Sequence, residues 1–286
     1  MAGQRIRVGN VEIAVAFDAD WRFVPTEFIA GSTAEEWRPY VADPVAEQEA
    51  RVLTFVVRSQ GKNILVDSGV GDWGLWRFGA GHLLDSLRAL GLAPEDIDVV
   101  LPTHMHTDHI GWNTMPSPNG PVPTFTRAQY LFQQVEWDYF TNPRFLDNEK
   151  VRPAAREMVR KAALPLKDTG LMDLIGFEKA VTDEVTLLHT PGHTPGSVTV
   201  LVQSAGEAAL LIGDAAHHPS EFDRLDWAPA VDVDPSLSSR SRKAIIEQSQ
   251  RLNALVGGAH LGRGDETAFG RILQIDGRTL WRGVDL

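Results

Sequence analysis

The chain has no cysteine among its 286 residues. That excludes disulfides and thiolate ligands, so any bound metal must be held by nitrogen and oxygen donors. It also fits a reducing compartment. There is no stretch of about 18 apolar residues, so no membrane-spanning helix is expected. The opening Met1-Ala2-Gly3-Gln4-Arg5-Ile6-Arg7-Val8 lacks the apolar centre of a secretory signal, and the expected location is the cytoplasm. Basic clusters are missing as well. The 27 Lys and Arg against 38 Asp and Glu give a formal charge of −11, which disfavours a nucleic-acid partner and reads as a solvated surface.

What is present is an ordinary globular balance, 43% hydrophobic and 23% charged, in a chain long enough to bury a substantial core. Alternation over Arg5–Val8 and Val11–Val15 predicts strands. Residues 19–50, with Trp21, Phe23, Phe28, Trp37 and Tyr40 among polar residues, read as a long loop with short helical pieces. Val52–Val57 and Asn63–Val66 predict a hairpin around Ser59-Gln60-Gly61-Lys62. Helices are expected over 81–90, 127–140 and 148–163. Another opens at Asp234-Pro235, an N-cap followed by a first-turn proline, and runs to about Leu255. Strands return at Val185–Leu188, Ser197–Val202 and Ala208–Ile212, and Asp276-Gly277 marks a hairpin near the end. No internal repeat, low-complexity run or linker breaks residues 1–286. Strands and helices occur in both halves, which predicts a single α/β domain.

The densest chemistry lies in Thr103-His104-Met105-His106-Thr107-Asp108-His109, just past the apolar run Ile97-Asp98-Val99-Val100-Leu101. Burying three imidazoles and a carboxylate unpaired at the end of a core strand would cost several kcal/mol. A divalent cation removes that cost, because neutral imidazole and ionised carboxylate are its natural ligands. His193, in Pro191-Gly192-His193-Thr194-Pro195-Gly196, Asp214, after Leu211-Ile212-Gly213, and His260, after Gly257-Gly258-Ala259, also end β-like runs beside turn residues. Strand ends converge on one rim of a sheet, so these distant positions can meet.

At these residues the chain resembles the metallo-β-lactamase superfamily of metallohydrolases. The His-x-His-x-Asp-His pattern at 104–109 is its signature, and the resemblance spans roughly residues 50–262. It implies an αββα sandwich of two mixed sheets flanked by helices, with a dinuclear site at one edge. His104, His106 and His193 would bind one divalent transition metal and Asp108, His109 and His260 the other, with Asp214 bridging. Zinc is the expected ion; manganese, iron and cobalt also suit an all-N/O set. Asp67 matches an acidic position behind a ligand imidazole. The resemblance is nearest the acyl-homoserine lactonase and methyl-parathion-hydrolase branch. The implied activity is hydrolysis of a small-molecule lactone or ester by a metal-activated hydroxide, with Asp108 as a proton shuttle.

A phosphotriesterase or phosphodiesterase is the alternative. A β-lactamase fits less well, since a cysteine or serine commonly stands at the Asp214 position there. A di-iron redox protein would need a flavodoxin-like domain that the chain has no room for after His260. His217 stands where the lactonases place a substrate-contacting tyrosine, which makes it a second catalytic candidate, while His218, His82 and His189 read as structural. Trp73, Trp76 and Trp112 are candidates for an aromatic substrate wall, with Phe23 and Phe28 behind them. The resemblance also suggests a homodimer.

Overall fold

Runs of Val, Ile, Leu and Phe build two seven-stranded sheets in the computed structural model, which describes residues 3–177, 179–262 and 267–285. Met1 and Ala2 of the opening segment lie outside the described residues. The first sheet contains β1 (Arg5–Val8), β2 (Val11–Phe23), β3 (Gln48–Ser59), β4 (Lys62–Val66) and β5 (Val99–Leu101). A short ribbon of β6 (Thr114–Met115) and β7 (Val122–Pro123) follows. Then β8 (Gln129–Gln133) and β9 (Met172–Ile175) complete the order β1-β2-β3-β4-β5-β8-β9. The second sheet runs in chain order through β10 (Ala180–Thr182), β11 (Val185–His189), β12 (Val198–Ser204), β13 (Glu207–Leu211), β14 (Leu255–Gly257), β15 (Phe269–Ile275) and β16 (Arg278–Gly283). The helices are α1 (Pro25–Phe28), α2 (Ala34–Trp37), α3 (Leu83–Ala89), α4 (Gln134–Phe140), α5 (Pro143–Leu146), α6 (Pro153–Ala162), α7 (Ser220–Asp223) and α8 (Pro235–Arg251).

The sheets face each other across an apolar layer that includes Ile13, Leu187 and Val200, with Phe55 on Phe269 at 5.6 Å between ring centres. Each sheet carries helices on its outer face. Leu87 of α3, Trp137 of α4 and Val159 of α6 pack against Val56, Leu65 and Val100. Phe222 of α7 and Ile245 of α8 pack on Leu210 and Val256. The result is the helix–sheet–sheet–helix architecture expected from the sequence, with both sheets mixed. The parallel pairs are β4–β5, β5–β8, β8–β9 and β13–β14.

Two sequence readings are corrected. The stretch 127–140 is not one helix: Gln129–Gln133 forms β8, sandwiched in parallel register between β5 and β9, and only Gln134–Phe140 is helical. Burial of Tyr130, Leu131 and Phe132 in the sheet overrides an apolar spacing that fitted either element. The loop over 19–50 is shorter than expected. β2 continues to Phe23 with a register shift between Phe17 and Ala19, and β3 begins at Gln48. The hairpins at Gln60-Gly61 and Asp276-Gly277 have positive φ at both turn residues, the geometry that matches strand twist.

The topology also places the rim. β4 and β5 run parallel in one sheet, β13 and β14 parallel in the other. The segments leaving all four strands, and the turn between β11 and β12, carry the candidate residues. The sheets are tied there by Val198 N–H donating to the Thr103 carbonyl at 3.0 Å.

Candidate metal centre

Local devices hold His109, His193, His260 and Asp214, and a clamp holds the 104–109 turn. Asp67 follows β4 with φ +63 and accepts from Thr103 N at 2.7 Å and from the Thr103 hydroxyl at 3.0 Å. Its other oxygen lies 2.9 Å from His109 Nδ1, which turns His109 Nε2 to the rim. Glu136 of α4 is buried and accepts from Met105 N and Gly196 N, each at 2.8 Å. It thereby clamps the 104–109 turn to the His193 turn. Burial is the main reason its carboxyl is pushed up to about 7. His193 Nδ1 sits 2.8 Å from Asp232 Oδ1, and His260 Nδ1 sits 2.7 Å from the Arg51 carbonyl of β3. Leu53 N–H bonds to the Ala259 carbonyl at 2.9 Å and fixes the same segment. Asp214 leaves β13 through Gly213 (φ +50), where a side chain would strike the Thr103 hydroxyl at 2.6 Å.

These devices gather the seven residues at one place. Single donor atoms of His104, His106, His193 and Asp214 lie within 4.8 Å of one another, and so do those of Asp108, His109 and His260. His106 Nδ1 stands 3.0 Å from His104 Nε2 and 2.9 Å from His193 Nε2. The Asp214 carboxylate lies between the two groups. Its Oδ1 is 3.2 Å from both His109 Nε2 and His260 Nε2, and its Oδ2 is 3.7 Å from His104 Nε2 and 3.5 Å from His193 Nε2. Asp108 Oδ2 lies 3.5 Å from His260 Nε2.

The electrostatics follow from this crowding. Burial first, and then the neighbouring imidazoles, hold His104 and His106 well below the usual histidine range. Burial opposes a proton on His109, but Asp214, Asp67 and Asp108 outweigh it and hold that ring well above the range. Burial likewise opposes charge on Asp214, and His109, His260 and His217 reverse it, keeping the carboxyl well below its ordinary value. An ionised Asp214 beside neutral His104 and His106, with enough carboxylate charge around it to draw a proton onto His109, makes this a site for cations. Asp214 Oδ1 and His109 Nε2 are both buried without a well-formed hydrogen bond, as donors awaiting a metal would be. On donor type, crowding and unsatisfied atoms, the set fits two divalent cations.

His217 joins this cluster directly, with Nε2 3.1 Å from Asp214 Oδ2 and its ring 5.0 Å from that of His193. Burial works against its charge, yet Asp214 and Glu221 push it up to about 10. His218 turns away and bonds Ser220 at 2.7 Å beneath Trp37. His82 precedes α3, and His189 ends β11 stacked on Phe177, both away from the rim.

The aromatic wall differs from the one expected. Trp112 is buried with its N–H on Asp18, and Trp73 packs in the helical layer with its N–H on the Gly111 carbonyl. Trp76 N–H caps the Asp20 carbonyl, and its ring packs in the cluster that includes Trp21. The rings at the rim include Trp21, 4.8 Å from His260, Phe28, 5.0 Å from His217, and Phe140, 5.6 Å from His106, with Phe23 behind the first two. Trp21 was hidden by the reading of residues 19–50 as loop. Asp18, Glu136 and Asp232 were also missed. A lone acid in the apolar run Val15-Ala16-Phe17-Asp18-Ala19 was a usable signal, since a buried carboxylate needs dedicated partners. Asp232 had none.

Two mixed sheets between helical layers, with imidazoles and carboxylates gathered at one rim, define an αββα protein with a candidate two-metal centre. The sequence profile of the metallo-beta-lactamase superfamily matches residues 49–260, and the chain belongs to that superfamily. Among curated relatives, an N-acyl homoserine lactonase of Bacillus thuringiensis is 24% identical over 167 residues, covering 58% of this chain and 56% of that protein. The N-acyl homoserine lactonase AttM of Rhizobium radiobacter is 28% identical over 137 residues, 47% of each. The chain thus spans about half the length of the curated relatives it matches. Among solved structures, hydrolase AbOPH of the beta lactamase superfamily superposes with a TM-score of 0.85 at 24% identity, covering 100% of this chain and 99% of that one. AidC, a dizinc quorum-quenching lactonase in complex with a product, gives 0.84 at 20% identity, covering 100% and 98%. Both likenesses concern the fold.

Proposed function

We propose that this chain is a dinuclear metal-dependent hydrolase that opens a lactone or ester of a small apolar molecule. The observation that carries the reading is the Asp214 carboxylate, one oxygen turned to His109 and His260 and the other to His104 and His193. His104, His106 and His193 would hold one ion, Asp108, His109 and His260 the other, and Asp214 both. Bound in this way, two divalent ions supply a water nucleophile at neutral pH and a Lewis acid for the carbonyl oxygen. Zinc is the ion favoured, since AidC is a dizinc lactonase and the donor set is all nitrogen and oxygen.

The chain's own residues supply the rest. Asp108 has 13% of its side chain exposed, so it can pass a proton between the site and the leaving oxygen. His217 is placed to hydrogen-bond the substrate's polar end beside Asp214. Trp21 and Phe28 give the acyl part an apolar face and restrict water at the reacting carbonyl. His217 in place of a tyrosine is the one feature that favours a phosphotriester as second substrate. Both sheets contribute to one rim, which supports reading residues 1–286 as one domain. A cysteine-free, acidic chain supports a cytoplasmic location and a small-molecule partner; a homodimer rests on the resemblance. Among the described residues no helix is long and apolar enough to cross a membrane.

The test is a panel of acyl-homoserine lactones, aryl esters, paraoxon-type phosphotriesters and β-lactams, offered to zinc-loaded protein. The reading expects lactone or aryl-ester turnover highest. Turnover confined to β-lactams, or none on any of the four classes, contradicts it.

A further inference from the structure

Behind the rim lies a run of buried charges that no ligand motif contains. The side chain of Asp232 is 1% exposed and that of Glu221 0%. Asp232 Oδ1 lies on His193 Nδ1 at 2.8 Å. Glu221 Oε1 accepts the backbone N–H of His217 at 2.8 Å and of His218 at 2.9 Å, and it stands 3.7 Å from His217 Nδ1. Between the two carboxylates sits the guanidinium of Arg242, whose side chain is 1% exposed. Its Nη1 is 3.3 Å from Glu221 Oε2 and 3.9 Å from Asp232 Oδ2, and it also donates to Ser238 at 3.2 Å. Its Nη2 donates to the Trp227 carbonyl and to the Leu225 carbonyl, the latter at 3.4 Å. On the other side of the two imidazoles, Asp214 Oδ2 meets His193 Nε2 at 3.5 Å and His217 Nε2 at 3.1 Å. The contacts therefore close a ring: Asp214, His193, Asp232, Arg242, Glu221, His217.

Two carboxylates do not stay buried side by side without a cation. A compact ammonium could balance their charge, but it could not reach Glu221 with one nitrogen and the 225–227 carbonyls with another. That requires the planar fork of arginine. The same fork also fixes the 225–232 segment. Ala230 of that segment bonds to the Phe28 carbonyl, and Trp227 packs with Ile29 and Trp37, so the segment braces the aromatic wall as well.

We infer that Arg242 is a positioning residue that sets the ring orientations of both His193 and His217, through Asp232 and Glu221 respectively. The inference rests on the proposed roles of those two histidines, one toward metal and one toward substrate. Asp232 holds His193 so that Nε2 faces the rim, and partners of this kind change metal affinity by about 10- to 100-fold when altered. Glu221 holds the turn that carries His217. Arg242 holds both carboxylates in place, at 3.3 Å from Glu221 and 3.9 Å from Asp232.

The experiment uses the full-length chain and four forms: parent, Arg242→Lys, Asp232→Asn and Glu221→Gln. Zinc affinity is measured by competition with a chelating indicator, and kcat and KM are measured on an acyl-homoserine lactone. Asp232→Asn should weaken one of two zinc ions about 10-fold or more and spare the other. Glu221→Gln should keep both zinc affinities within threefold and lower kcat at least tenfold, with KM within threefold. Arg242→Lys should show both defects together. A residue that merely stapled the fold would lower the thermal midpoint and leave zinc affinities and kcat within twofold of the parent. That outcome for folded Arg242→Lys overturns the inference. If Arg242→Lys does not fold, the split between Asp232→Asn and Glu221→Gln decides: its presence supports the inference and its absence overturns it. A parent chain that binds two zinc ions but opens no lactone overturns the proposed reaction. The zinc measurements then still decide the Asp232 half on their own.

Discussion

The Asp214 carboxylate turns one oxygen to each half of the donor set, and its neighbours are arranged to keep it ionised in a buried place. Asp214→Ala is therefore expected to reduce bound metal from about two ions per chain to one or none and to abolish hydrolysis, with the circular dichroism spectrum unchanged. Elemental analysis showing two ions in the folded variant would sink the bridging role. His217→Ala should keep both ions and lose about 10²-fold in kcat, the scale of a positioned proton donor or acceptor. Parental turnover in that variant would remove His217 from the chemistry. Asp67→Asn should weaken metal binding about 10- to 100-fold, because His109 loses its charged partner at 2.9 Å. The seven residues that meet at the rim stand out in the sequence, His104, His106, Asp108 and His109 through one dense motif and His193, Asp214 and His260 through their places after apolar runs. Their supports do not. Glu136, Asp232 and Arg242 act through contacts between segments far apart in the chain, and a single carboxylate or guanidinium in a helix or loop has no local signature.

At the scale of elements, Asp18 shows how a strand organises the turns around the site. Its carboxylate accepts from Val70 N at 2.6 Å, from Leu83 N at the start of α3 at 2.9 Å and from Trp112 Nε1 at 2.9 Å. A side chain at Gly69 would strike it at 2.1 Å, so glycine with φ +61 is required there. Burial outweighs these three donors and raises the Asp18 carboxyl from 3.8 to about 6. The folded state thus binds this proton more tightly than the unfolded chain does. The associated stability is complete below about pH 4 and is lost as pH rises through 6. The stability advantage of the parent over Asp18→Asn should therefore shrink between pH 4 and pH 7, as measured by denaturant unfolding. An advantage that grows over that range contradicts the assignment. The paired hairpins and the long α8 were readable from turn chemistry and capping, since Asp234 accepts from Leu237 N at 2.8 Å as its Asp-Pro sequence suggested. The strand β8 was not, because Tyr130, Leu131 and Phe132 gain their strand character from neighbours in the sheet.

For the whole molecule, the sandwich links stability to the site. Two sheets meet across an apolar layer, and strands from both end at the rim, so ions bound there would hold the sheets together at one edge. A ligand present at about 100 times its Kd adds about 2.7 kcal/mol to stability. Stripping two such ions with chelator should lower the thermal midpoint by on the order of 10 °C, reversibly on adding zinc. An unchanged midpoint would mean that the rim holds no metal. Metal-free protein titrated with zinc while the opening of an acyl-homoserine lactone is followed probes the two-ion centre itself. Turnover should be absent without zinc and should rise to saturate at about two ions per chain. Full turnover in metal-free protein, or none with two ions bound, would contradict a two-ion hydrolytic centre.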